Sequence, residues 1–274
     1  MSASVTTRMP VIYLSHGGGP CFFMDWSPIG PADTWNSMAD WLKNLHRTFP
    51  TPKAIVVISA HWEEDEITVM SEERPSLLFD YYGFPKHTYE LEYPASGSPT
   101  LAARVSDLLR LAYINSEIET KRGFDHGVFV PFKLIYPDAN IPIVQVSMKK
   151  NMSPIEHIAF GQALAPLRDE GVLIVGSGMS YHNLRDLFQG GDTVLKNSKM
   201  FDQWLFETAS LGDFDVRNSK FAKWETAPAA RHAHPREDHL VPLFVVSGAA
   251  GNEHGRRVFH DVVMGAETSA FQFG

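Results

Sequence analysis

Ala54-Ile55-Val56-Val57-Ile58-Ser59 runs directly into Ala60-His61-Trp62-Glu63-Glu64. A run that is apolar at successive positions, with no polar alternation, is the pattern of a strand buried on both faces of a parallel sheet. Similar short runs occupy residues 9–14, 141–147 and 172–175, and residues 67–70 read as a further strand. Between them lie stretches of helical period. Trp35, Met38, Trp41, Leu42 and Leu45 share one face of a helix over residues 33–49, for which Asp33 suits the N-cap. Helices are also expected over residues 100–111, 154–168, 194–206 and 221–224, and from Asp238 onward; the tail 267–273 alternates like an edge strand. Alternating strands and helices predict one α/β domain over residues 1–274, a mostly parallel central sheet flanked by helices. In such sheets ligands bind beyond the carboxyl ends of the strands.

The composition narrows the function. The chain has 274 residues, 44% hydrophobic and 20% charged, enough to bury a large core. A formal net charge of −8 argues against a nucleic-acid partner, which would need a basic surface. The single cysteine, Cys21, excludes an internal disulfide and a cysteine-rich zinc motif. Residues 1–9 are polar and lack the apolar stretch of a signal peptide, and no apolar run reaches the roughly 20 residues of a membrane span. A soluble cytoplasmic protein, monomeric or a small homo-oligomer, is expected.

Histidines recur where the strands stop. His16 follows the first apolar run in Ser15-His16-Gly17-Gly18-Gly19-Pro20, His61 follows the second, and His182 follows Gly176-Ser177-Gly178 after the run at 172–175. His126 sits in a glycine-flanked turn, and His234 in a turn stiffened by Pro235. Imidazole titrates near neutral pH and is the commonest metal ligand. One such histidine reads as an ordinary turn residue; five in these positions point to a functional cluster. His46, His157, His254 and His260 read as solvated. Residues 77–99 carry Phe79, Tyr81, Tyr82, Phe84, His87, Tyr89 and Tyr93 in an irregular stretch, read as a pocket wall or lid.

Common nucleotide and hydrolase motifs fit poorly. The glycines at 17–19 lack both the GxGxxG pattern and the Gly-Lys-Ser/Thr of a P-loop. Gly176-Ser177-Gly178 is only a fragment of a serine nucleophile elbow. A zinc hydrolase built on the histidine cluster, with Glu237 or Asp238 as base, remains an alternative, although His-Glu-x-x-His is absent.

Five motifs in order carry a resemblance: Ser15-His16-Gly-Gly-Gly-Pro20, Ser59-Ala-His61-Trp-Glu63, Gly123-Phe-Asp-His126-Gly127, Gly176-Ser-Gly-Met-Ser-Tyr-His-Asn183 and His234-Pro-Arg-Glu-Asp-His239. Together they resemble the class III extradiol ring-cleaving dioxygenases, in the DOPA 4,5-dioxygenase-like branch of the LigB superfamily, over nearly the whole chain. The resemblance implies a LigB-like fold that opens a catechol with O2 to a muconic semialdehyde-type product. It implies His16, His61 and His234 as metal ligands, His182 as the catalytic acid/base near the metal, and His126 as the second catalytic histidine of the pocket. His239, Tyr181 and His87 are the substrate-binding candidates. It further implies Fe(II) for activity, with Zn(II) as an ion retained on purification. Better-studied relatives use two histidines and a carboxylate; an all-histidine set is equally a zinc set. Arg122, Lys133, Arg231 and Asp125 are candidates for holding charged groups of the substrate.

Overall fold

The computed structural model describes residues 8–274; the expectation for the polar start at residues 1–7 lies outside them. The strands are β1 (Val11–Ser15), β2 (Ala54–Glu64), β3 (Ile67–Met70), β4 (Ser116–Glu119), β5 (Ile143–Lys149), β6 (Val172–Gly178), β7 (Gly255–Val263) and β8 (Ala266–Phe273). They form one eight-stranded sheet in the order β4-β3-β5-β2-β6-β1-β8-β7. Its centre is parallel: β2 pairs with β5 and β6, and β6 with β1. Antiparallel pairing begins at β3 against β5 on one side and β8 against β1 on the other.

Helices α1 (Asn36–Leu45), α2 (Pro99–Leu111), α3 (His126–Ile135), α4 (Pro154–Leu164), α5 (Leu184–Gln189), α6 (Asp192–Ala209), α7 (Phe214–Phe221), α8 (Ala230–Ala233) and α9 (Val241–Ala250) complete the fold. The apolar strands feed two cores because successive side chains point to opposite faces. Ile12, Leu14, Ile55 and Val57 pack with Met38 and Leu42 of α1 and Phe129 and Phe132 of α3. Val11, Tyr13, Val56 and Ile58 pack on the other face with α2, α4, α6 and α9. Val56, Val57 and Ile58 are wholly buried, each contributing on the order of 1.5–3 kcal/mol. Ser98 and Ser153 cap α2 and α4 through their hydroxyls, each followed by a proline that starts the helix.

Several local expectations change. Asp33 is not an N-cap: α1 begins at Asn36 after a turn, with no side-chain cap. The expected helix at 221–224 is instead the end of α7 followed by a 3-10 turn over Trp224–Thr226. The tail strand β8 is not at the edge. It lies between β1 and β7, joined to β7 by Met264-Gly265, both at positive φ as a tight hairpin turn requires. Of the four histidines expected in solvent, His254 and His260 are exposed and His46 is half-buried, whereas His157 is buried. Its Nδ1–H donates to the Ser153 carbonyl, and its Nε2 accepts from the Lys149 amide.

Candidate metal centre

Five imidazoles converge at the carboxyl ends of β1, β2 and β6, His61 from within the last residues of β2. His16 follows β1 immediately, its amide donating to the Gly178 carbonyl at the end of β6. His61 lies where β2 slips register against β5, between Ile58 and Glu63; such irregularities re-aim side chains near sites. His126 is the first residue of α3. Gly127 behind it lets α3 approach β2, because a Cβ there would lie 2.6 Å from Ser59 Oγ and 3.1 Å from His61 Cδ2. His239 closes the turn before α9. Its carbonyl accepts from the Tyr13 hydroxyl at 2.7 Å and the Met179 amide at 3.2 Å. A Cβ on Gly178 would come within 2.1 Å of that same carbonyl, so only glycine fits there.

The rings of His16, His61 and His239 form a near-equilateral triangle. Their centres are 4.8 Å (His16–His61), 5.2 Å (His16–His239) and 4.8 Å (His61–His239) apart. Imidazoles bound to one ion at about 2.1 Å have ring centres roughly 5 Å apart. The Nε2 atoms of His16 and His61 face each other at 3.0 Å. His16 Nδ1 is 3.0 Å from Ser177 Oγ, whose hydroxyl proton goes to the Gly127 carbonyl. The hydroxyl oxygen must therefore accept, so His16 carries its proton on Nδ1 and presents a bare Nε2. His126 also brings a nitrogen within 4.8 Å of those of His16 and His61. However, its ring centre is only 3.9 Å from that of His61, too close for two ligands spread around one ion. His182 lies against the triangle from outside, stacked on His239.

Burial sets the charge state. It lowers the pKa of His16, His61 and His239 well below that of free imidazole, with neighbouring imidazoles adding to the effect. His182 is lowered too, first by burial. Uncharged imidazoles suit a divalent ion; His239 Nδ1 is buried and makes no hydrogen bond, with Asp238 Oδ2 3.1 Å away. Beneath the site, wholly buried Asp125 accepts from Ser59 Oγ at 2.7 Å and from Arg122 at 3.2 Å, while burial raises its pKa.

Three of the expected site residues lie elsewhere. His234 is not the third corner of the triangle. Its ring is wholly buried between Phe201 and Trp224, and its Nε2–H donates to the Ser180 carbonyl at 3.0 Å. Burial pushes its pKa down to about 3. The turn at Pro235 directs it into the core on the α6 side, and the chain reaches the strand ends only at His239. Tyr181, expected at the substrate, is buried in the core with its hydroxyl donating to Asp186. His87 is exposed and bonds to the Phe23 carbonyl at 3.1 Å, pinning the aromatic segment to the turn after the glycines. The charged candidates are already engaged: Arg122 with Asp125 and the His61 carbonyl, Lys133 with the Glu92 carbonyl, and Arg231 with Glu225 and Glu237.

One carboxylate escaped the sequence reading: Asp80 pairs with His126 from within the aromatic segment. Asp238, read from the sequence as a candidate base, lies 3.1 Å from His239 Nδ1. Nothing local flags Asp80, whose partner lies 46 residues away.

A family model described as the catalytic LigB subunit of aromatic ring-opening dioxygenase matches residues 10–272. The 4,5-DOPA dioxygenase extradiol of Beta vulgaris is 42% identical, over 77% of this chain and 78% of that protein. Dioxygenase tasH of Hapsidospora irregularis is 35% identical, over 98% of this chain and 87% of that one. A crystal structure of an uncharacterized protein from Escherichia coli K12 superposes with a TM-score of 0.76 at 31% identity, covering 97% of this chain and 100% of that one. With family motifs matched from end to end and imidazoles gathered at the strand ends, this chain belongs to the LigB family of extradiol, aromatic ring-opening dioxygenases.

Proposed function

We propose that the protein opens the ring of a DOPA-like catechol with O2, giving a muconic semialdehyde-type product, at an iron(II) held by His16, His61 and His239. The observation that carries the ligand set is the triangle of ring centres at 4.8, 5.2 and 4.8 Å. Bound iron(II) supplies open coordination positions and an electronic path between catechol and O2. The relatives named above are dioxygenases, which supports ring opening as the reaction.

The remaining imidazoles handle protons. A catechol hydroxyl must lose its proton to bind well and the ring-opened product must regain one, tasks for a positioned imidazole. His182 and His126 flank the triangle without belonging to it, and both are within a ring's width of a ligand. The aromatic segment walls the His126 side, with Tyr81 edge-on to that ring at 5.8 Å. Phe79 and Phe129 extend this apolar wall, suited to a flat aromatic substrate.

The test is anaerobic reconstitution with iron(II), followed by oxygen-electrode and absorbance measurements on catechols including DOPA. Stoichiometric O2 uptake with a yellow product is expected. Ester or amide turnover with O2 excluded, and no consumption of any catechol, would replace this reading with a hydrolytic one.

A further inference from the structure

Asp80 stands outside the triangle, yet its two oxygens are directed at two of the clustered imidazoles. Oδ1 is 2.7 Å from His126 Nδ1 and also accepts from the His126 amide at 3.0 Å. Oδ2 lies 3.9 Å from His61 Nδ1. The carboxylate is delivered by the aromatic segment, which is fastened to the start of α3 by a parallel bridge between Leu77 and Phe124 and by the Leu78 amide donating to the Phe124 carbonyl. One short run of backbone therefore fixes the height of Asp80 against His126.

The chemistry of that contact is specific. A carboxylate only accepts, so a neutral His126 bonded to it must carry its proton on Nδ1. Its Nε2 is then bare, in a ring whose centre lies 5.4 Å from that of His16 and 3.9 Å from that of His61. Without that acceptor, a buried imidazole is free to hold its proton on either nitrogen or to turn its ring. A proton on Nε2 would abolish its capacity to accept one from a substrate hydroxyl at the centre. Ser177 performs the equivalent service for His16 through a hydroxyl.

We propose that Asp80 is a positioning residue for the ring-opening reaction: it holds the His126 proton on Nδ1 and keeps Nε2 bare toward the site. The amide donating to the same oxygen strengthens the assignment, because it fixes Oδ1 in place independently of the imidazole. Outer partners of this kind typically change activity or affinity by about 10–100-fold when removed. The kinetic part rests on the ring-cleavage reading above; the proton position does not.

The experiment uses the full chain, zinc-loaded for spectroscopy and iron(II)-loaded for kinetics. Long-range proton–nitrogen spectra of protein with 15N-labelled histidine report which ring nitrogen of His126 is protonated, its signals being assigned by their loss in His126→Gln. Asp80→Ala removes the acceptor, Asp80→Leu removes it while retaining bulk, and Asp80→Asn restores an acceptor oxygen. The wild type is expected to show an Nδ1–H, bare-Nε2 pattern. In the Ala and Leu variants that pattern should be lost and kcat for a catechol should fall about 10–100-fold with KM changed less. Asp80→Asn should recover the pattern and most of kcat. The proposal is overturned if His126 keeps its Nδ1 proton in the Ala and Leu variants, or if their kcat equals that of the wild type. A wild type that shows the expected pattern but opens no catechol would refute the ring-cleavage reading while leaving the proton assignment standing.

Discussion

The ring of His182 stacks on that of His239 with centres 3.3 Å apart and planes 14° from parallel. His239 belongs to the triangle with His16 and His61, and His182 does not. The proposed function gives these two imidazoles, in van der Waals contact, different tasks. His239→Ala should abolish stoichiometric metal binding. His182→Ala should retain the ion while turnover falls about 10²–10⁴-fold, the range of a positioned acid/base group. Metal per chain, measured beside the rate at saturating catechol, separates the two. Loss of the ion in His182→Ala would make it a ligand.

His234 gives the converse case. Its ring fills a space between Phe201 and Trp224 and satisfies the Ser180 carbonyl. His234→Ala should leave metal content near that of the wild type and cost on the order of 2–4 kcal/mol of stability, as truncation of a buried ring does. Denaturant titration and metal analysis of one preparation test this. Metal loss at unchanged stability would return His234 to the ligand set.

The approach of β6 to the His239 turn should matter for the ion. In Gly178→Ala the new methyl would meet the His239 carbonyl at 2.1 Å, so the turn must move. Metal affinity, read by competition with a chromophoric chelator, should fall at least about tenfold, the range expected when a ligand's support is disturbed. Tyr13→Phe removes only one hydrogen bond to the same carbonyl, worth about 1 kcal/mol, and should have the smaller effect. Equal affinity in Gly178→Ala and the wild type would show that the turn is not held there.

His157 makes stability depend on pH. Burial lowers its pKa from 6.5 to about 4. The unfolded chain therefore binds a proton that the folded chain refuses between those values. Stability contributed by neutral His157 is fully present above pH 6.5 and is lost as the pH falls toward 4, by about 3 kcal/mol at 1.36 kcal/mol per pH unit. Urea midpoints between pH 7 and pH 4 should fall less steeply in His157→Gln than in the wild type. Parallel curves would mean that His157 is not the source.

The sequence by itself determined the sheet and most of the cluster. Apolar runs such as Ile55-Val56-Val57-Ile58 have few solutions other than a two-faced buried strand, and a residue placed directly after such a strand must stand at one end of the sheet. His16, His61 and His182 were legible on that ground, and His126 from its glycine-flanked turn. The tertiary structure alone decided between His234 and His239, which share one turn in a histidine-rich stretch. Local rules favoured the residue stiffened by Pro235. The choice was made by contacts with Tyr13, Gly178 and Met179 on distant strands, and by the aromatic pocket of Phe201 and Trp224 that accepts the other ring. Asp80 was invisible for the same reason: a carboxylate gains its role from the imidazole it meets, and sequence spacing carries no information about a contact made only when two loops pack together.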